Sequence, residues 1–391
     1  MPDLIITNIG TLVSGDWEHP VLDCDTVAVR GGLIDAVGGA ELLGRYPDAQ
    51  VIDAMGVTVA PGLIDSHCHP CVGDYTFRQK AADFLESEVH GGVTTMISAG
   101  EPHFPGRPKD AAGAKAQAIF LSKCFRNQSP LGAKIHGGAL ILEQGLTEAD
   151  FAEMAREGVW LVGEIGLGSV KSPADAAPLV EIAKKHGFRV AMHTGGTSIP
   201  GSSPVSADDV IRTGPTVASH CNGGPTSIST AEAERIIRES DAAVEIVQCG
   251  NYRMTNFILE TAGKLGQQGR VIFGNDAPSG TGMIPLGILR NICYASSVCG
   301  VPPAVAVAMA TGNTARVFGL NTGVIAPGRE ADLVCLDAPI GSVADTALGA
   351  IEAGDIPGVT YVIINGRVAV VKSRNTPPGN RTPRPAGQND A

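Results

Sequence analysis

The 391-residue sequence is poor in aromatic side chains (4%) and in charge (18%), while 43% of it is hydrophobic. That is ample apolar material for a large core, which excludes an intrinsically disordered chain. No run of five or more basic residues occurs, and acidic side chains outnumber basic ones 40 to 29, so a nucleic-acid footprint is excluded. No stretch approaches the roughly 20 consecutive apolar residues of a membrane helix. The opening MPDLIITNIG lacks a basic segment followed by an apolar one, so it does not read as a secretion signal, and cytoplasmic residence is the default expectation. Nine cysteines are an odd number in a long chain, which argues against a disulfide framework and for small, buried, reduced side chains. The 50 glycines and 26 prolines follow no G-X-Y period and imply many tight connections.

Length alone suggests roughly two to three domains. Residues 1 to 60 are a series of short β-type runs, among them Leu4–Ile6, Thr26–Val29, Leu33–Val37 and Val51–Asp53, separated by Gly- and Asp-rich turns. The same texture returns at 321–375, where Asn365-Gly366 between two apolar runs is a hairpin signal. One small β-sandwich domain built from both chain ends is therefore expected. Between them, 61–320 has eight apolar runs: Val57–Asp65, Val93–Ala99, Lys134–Leu142, Val159–Ile165, Arg189–His193, Thr216–His220, Ala242–Gln248 and Arg270–Gly274. Helical patterns such as Ala177–Lys185 and Ala231–Arg238 lie between them. Eight strands alternating with helices predict a (β/α)8 TIM barrel, an α/β fold. A doubly wound sheet is the rival, but neither G-x-G-x-x-G nor G-x-x-x-x-G-K-[ST] is present. The Pro-rich tail, 376–391, should be mobile by itself and suggests docking on a neighbouring subunit.

Chemistry-bearing side chains gather at the ends of these runs. His67 and His69 are two apart, so in extended chain they share a face and would chelate one metal; an exposed loop with two histidines is the alternative for that pair alone. Glu164 ends the apolar fourth run, where a buried carboxylate requires a partner. His193 and His220 end the fifth and sixth runs at equivalent positions, and Asp276 follows the eighth. Barrel active sites lie at the C-terminal strand ends, so the six converge on one mouth. Together they would hold two divalent metals with a bridging carboxylate, which makes a shared water acidic. An Asp beside that water would take its proton and pass it to a leaving nitrogen. Cys68-x-x-Cys71 lacks a second such pair, and Cys68 alternates with the histidines, so it carries no function here. His136, inside the third run, reads as a core or supporting histidine. A substrate carboxylate would be met by an Arg fork, Arg78 or Arg107, or by backbone N–H groups of Gly195, Gly196 and Thr197.

The segment Pro61-Gly62-Leu63-Ile64-Asp65-Ser66-His67-Cys68-His69, the ordered Glu, His, His, Asp, and Gly323–Val334 resemble the amidohydrolase superfamily over nearly the whole chain. The resemblance implies that His67, His69 and Asp276 hold one metal, that His193 and His220 hold the other, and that Glu164 bridges them. Many relatives carry a carboxylated Lys at the strand-four position; Glu164 is a departure. Segments Met96–Gly100, His103–Asp110, His193–Ser203 and Gly274–Gly280 resemble more closely a branch that opens the cyclic enamide 6-oxo-1,4,5,6-tetrahydronicotinate and releases ammonia. This implies nicotinate degradation, attack by a metal-bridging hydroxide with Asp276 as general base and acid, zinc with iron (or two zinc ions), and a homotetramer. A hydantoinase-like or dihydroorotase-like cyclic amide or imide hydrolase, and a barrel scaffold without chemistry, are the alternatives.

Overall fold

The computed structural model describes residues 3–70, 72, 81–101, 106–198, 201–223, 226–278, 284 and 286–387. Eight parallel strands carry the middle of the chain: Leu63–Cys68, Val93–Ser98, Lys134–His136, Leu161–Ile165, Arg189–Met192, Val217–Ala218, Ala243–Val247 and Val271–Gly274. The first three pair in the order third, second, first, and the last five pair in chain order. Two isolated parallel bridges, Leu140 to Val162 and Cys68 to Ala277, join the two groups at either side. The strand residues are mostly buried on both faces, as parallel sheets covered by helices require. One residue from each of six strands (Ile64, Ile97, Leu161, Val217, Ala243 and Ile272), together with Ala139 beyond the end of the third, shares one apolar cluster with Phe318.

Between strands lie helices whose starts are written in the sequence. Ser172 caps Pro173–Lys185 by accepting from the Asp175 N–H, with Pro173 in the first helical position. Thr147 and Asp150, Ser206 and Asp209, and Ser229 and Glu232 form reciprocal capping boxes on the helix before it and the two after it. Both helices expected from periodicity are present, as Pro173–Lys185 and Thr230–Glu239.

The chain ends form two mixed sheets of five and six strands. Leu4, Ile6, Val27 and Val29 of one sheet share an apolar cluster with Leu12, Val59, Leu333 and Cys335 of the other. Alternation along Leu333–Asp337 sends Val334 and Leu336 into the larger cluster of the parallel strands and their helices. This strand thus belongs to two cores at once.

Three expectations need revision. The run Val57–Asp65 is two strands: Thr58–Pro61 pairs with Leu333–Leu336 in the six-stranded sheet, and Leu63 starts the parallel set. Gly62 is the switch, and a side chain there would meet Thr94 Oγ1 at 2.2 Å. The third strand stops at His136, because Gly137 and Gly138 pack directly on Phe125 and on the backbone of Ala118 and Ser122; pairing resumes only at Leu140. The described residues of the tail are not left loose but pair with their own chain. Arg384–Pro385 pairs antiparallel with Ile52 and Asp53, Arg381 N–H and guanidinium groups donate to Asp337, and Pro339 bridges Gly379. Paired backbone and a charge-assisted contact hold the segment on its own chain, so the tail gives no argument for an oligomer.

Candidate metal centre

The first strand places Ser66, His67 and Cys68 at its C-terminal end, with all three buried. His67 and His69 point to the same side, and Cys68 turns away to donate to the Ile97 carbonyl. Gly274, ending the eighth strand, makes room for this: a Cβ there would lie 2.5 Å from His67 Cβ. Asp276 follows in a left-handed conformation (φ 56°), with its N–H donated to the His67 carbonyl at 2.8 Å. Glu164, His193 and His220 come from the fourth, fifth and sixth strand ends and are buried.

Two groups result. Single ligand atoms of His67, His69 and Asp276 lie within 4.8 Å of one another, and so do those of Glu164, His193 and His220. The Glu164 carboxylate faces both. Its Oε1 is 2.6 Å from His220 Nε2 and 3.9 Å from His193 Nδ1, while its Oε2 is 3.6 Å from His67 Nε2 and 3.9 Å from His69 Nε2. Three of the four rings are anchored from behind. His67 Nδ1 donates to Glu245 at 2.7 Å, His69 Nδ1 to the Gly100 carbonyl at 2.7 Å, and His193 Nε2 to the Gly196 carbonyl at 2.7 Å. When the rings are neutral, these bonds favour the tautomers whose forward nitrogens can act as ligands.

The electrostatics match. Burial opposes charge on the His67 ring, yet Glu245, Glu164 and Asp276 raise its pKa well above the usual histidine value. Burial likewise opposes charge on Glu164, but His67 and His220 hold its carboxyl well below the carboxylate range. Burial, then the neighbouring His220, push His193 down. A buried nest of carboxylates thus calls for positive charge. His193 Nδ1 and His220 Nε2 face each other at 3.0 Å, and buried His67 Nε2 has no hydrogen-bond partner. Imidazole and carboxylate donors converging in this way fit two divalent cations of borderline softness.

Other anticipated positions fare differently. The Gly195 N–H donates to the Val205 carbonyl and the Gly196 N–H to the Thr226 carbonyl, so neither is free to cradle an anion. Gly195 is there because its φ is 91° and a Cβ would overlap the Thr226 carbonyl oxygen. Thr197 is exposed in the loop beyond. Arg107 donates to buried Glu143 at 2.6 Å and to the Leu167 carbonyl, which makes it a structural ion pair. Arg78 and His103 lie outside the described residues. Lys134 sits at the opposite end of the strands, bonded to Glu330 and Asp332. His136 packs edge-on against Trp160 near that end. Sequence reasoning missed Glu245 and Asp65, the second of which accepts from the His67 and Asn275 N–H groups. Their signal was available: each is a lone carboxylate inside an apolar run.

Comparison with known proteins gives consistent findings. The model of the amidohydrolase family matches residues 225–369. Enamidase of Eubacterium barkeri is 64% identical over 381 residues, covering 97% of this chain and 99% of that protein. Adenine deaminase of Ruegeria sp. (strain TM1040) is 29% identical over 358 residues, covering 85% of this chain but 56% of that protein, so the chain spans about half its length. The crystal structure of enamidase, described as a new member of the amidohydrolase superfamily, matches with a TM-score of 0.95 and 63% identity, covering 98% of this chain and 100% of that one.

Proposed function

Because the chain belongs to the amidohydrolase family, we propose that its six converging ligands serve hydrolysis of the C–N bond of a cyclic amide, as the likeness to enamidase supports. The specific substrate we propose is 6-oxo-1,4,5,6-tetrahydronicotinate. One water opens the ring, a second converts the freed enamine to an aldehyde, and the products are 2-formylglutarate and ammonia. The observation that carries this reading is the Glu164 carboxylate, with one oxygen toward each group of ligands.

His67, His69 and Asp276 would hold one cation, His193 and His220 the other, and Glu164 would bridge them. When bound, such a pair supplies an acidic water and polarises the ring carbonyl as a Lewis acid. The protein's own part is orientation and proton movement. The Asp276 side chain is 21% exposed, against 4% for Glu164 and 1% for His67, so it is the carboxylate that meets substrate. Its Oδ1 lies 3.2 Å from His69 Nε2, and its Oδ2 accepts from the Cys249 thiol at 3.4 Å. Asp276 accepts the proton of the attacking water and delivers it to the ring nitrogen as the C–N bond breaks.

We further propose a closed (β/α)8 barrel over 61–320, supported by the two bridges that join the parallel strands. The mixed sheets of 1–60 and 321–375, with their shared apolar cluster, support the β-sandwich, and 376–391 forms the tail. Zinc with iron, or two zinc ions, a cytoplasmic homotetramer and a substrate-carboxylate contact from Arg78 belong to the same proposal. No helix among the described residues is long and apolar enough to cross a membrane. The 64% identity does not favour a hydantoinase-like or dihydroorotase-like alternative. The test is elemental analysis combined with ammonia release from a panel of cyclic amides. Two metals per chain with release from the cyclic enamide is expected; one metal or none, with no release from any member, overturns the reading.

A further inference from the structure

Glu245 is a buried carboxylate that the ligand set does not use, and it touches both ligand groups. It lies in the seventh strand, Ala243–Val247, with 1% exposure. Its Oε2 accepts from His67 Nδ1 at 2.7 Å and from the His220 backbone N–H at 3.2 Å, and its Oε1 accepts from the Ser66 hydroxyl at 2.6 Å. Its own carbonyl accepts the Cys221 N–H at 2.9 Å. We propose that Glu245 is a positioning residue that couples the two ligand groups, a role that rests on the two-cation reading above.

The geometry acts on each group differently. On the His67 side, an ionised carboxylate accepts only, so the ring proton must reside on Nδ1. Once the ring gives up its second proton, Nε2 carries the lone pair, and this is the nitrogen that stands 3.6 Å from Glu164 and 3.5 Å from Asp276. On the His220 side the constraint is on the backbone. His220 has φ 33°, a conformation that a non-glycine residue holds only when its surroundings impose it. Glu245 grips His220 and Cys221 by consecutive N–H groups, one through its side chain and one through its main chain. One residue therefore sets a ring tautomer in the first group and the chain path in the second.

Two substitutions separate this role from simple packing. Glu245→Gln keeps an acceptor for His67 and His220 and turns its amide donor toward the Ser66 oxygen. Glu245→Leu fills the volume with no acceptor at all. Outer-shell partners of ligating histidines are worth about 10–100-fold in metal affinity. Zinc titration of the chelator-treated full chain against a chromophoric competitor, with elemental analysis, reads both groups without recourse to turnover. The expected result is two equivalents in the parent, about tenfold weaker binding in Glu245→Gln, and about 100-fold weaker binding of both equivalents in Glu245→Leu. The melting temperature of the metal-free Leu variant should fall, because three buried donors lose their acceptor, whereas metal-free Glu245→Gln should melt near the parent and still bind zinc more weakly; a merely structural role would lower stability and affinity together. Parental affinity in Glu245→Gln overturns the proposal even if the Leu variant fails to fold, as does loss of one equivalent only in a folded Leu variant. A parent chain that binds fewer than two equivalents instead defeats the two-cation reading, and the coupling role with it.

Discussion

The two ends of the parallel strands both bury charge, and they use it in opposite ways. At the N-terminal end Lys134 Nζ lies 2.6 Å from Glu330 and 2.5 Å from Asp332. Asp332 also accepts from the Thr322 hydroxyl and the Asn365 N–H. Each charged atom meets its opposite within the chain. At the C-terminal end four imidazoles and two carboxylates aim their ligand atoms at one another. His67 Nε2 has no partner, and Glu164 lies among four ring nitrogens. A buried ion pair that closes on itself ties segments of chain together; ligand atoms of four histidines and two carboxylates that converge as two groups fit cations from outside. The contrast rests on geometry, since both clusters consist of common residue types.

The sharpest break of this contrast removes the carboxylate shared by both ligand groups. Glu164→Ala should lose metal from both and reduce ammonia release to the detection limit, with the helical circular dichroism signal intact. Full metal content in that variant would show that Glu164 is another closed structural contact, like Asp332. Asp276→Asn should have a smaller effect. General acid–base help is worth about 10²–10⁴-fold, and kcat should fall by at least that much, while His193, His220 and Glu164 retain their cation. Activity within a few-fold of the parent at full occupancy would assign the proton transfer to another group.

The ligand end was legible because every ligand lies at the end of an apolar run, and parallel strands put such ends on one side of the sheet. Glu245 was legible only in part: a lone carboxylate in Ala-Val-Glu-Ile-Val signals a buried partner, but only the fold shows that the partner is His67, 178 positions away. The N-terminal end was illegible for the same reason: Lys134 and Asp332 are 198 positions apart. The tail was misjudged because composition reports what a segment would do alone. Here Arg381 finds a fully buried Asp337, and the backbone of 384–386 finds an open strand edge. The helices and most strands followed from local pattern, whereas the break at Gly62 depended on which sheet each side would join.

Lys134→Met tests the opposite end. It leaves the buried Asp332 carboxylate without its cation, a change that costs about 3–5 kcal/mol in comparable pairs. The expected outcome is a lowered melting temperature with metal content and kcat unchanged. Asp332→Asn in the same background should recover part of the loss, because the stranded charge is then gone. A fall in metal content beyond the fraction unfolded would mean that the two ends are not independent.

The smallest expected effect concerns His136, beside that same cluster. Burial is the main cause that lowers its pKa from the ordinary 6.5 to about 4; Lys134 adds to the lowering and Glu330 opposes it. The folded chain therefore holds the ring neutral, and the unfolded chain takes up the proton more readily. The contribution to stability is fully present above pH 6.5 and is lost as pH falls toward 4. Between pH 7 and pH 5 this single group should remove about 2 kcal/mol, at 1.36 kcal/mol per pH unit of uncompensated proton uptake. His136→Phe keeps an aromatic edge against Trp160, now 5.1 Å from the His136 ring centroid, and does not titrate. Denaturant unfolding at pH 7 and pH 5 should give a smaller loss for the variant than for the parent. Equal losses in the two would mean that water reaches His136 in the folded chain, and that the buried charge at this end is less closed than the contrast requires.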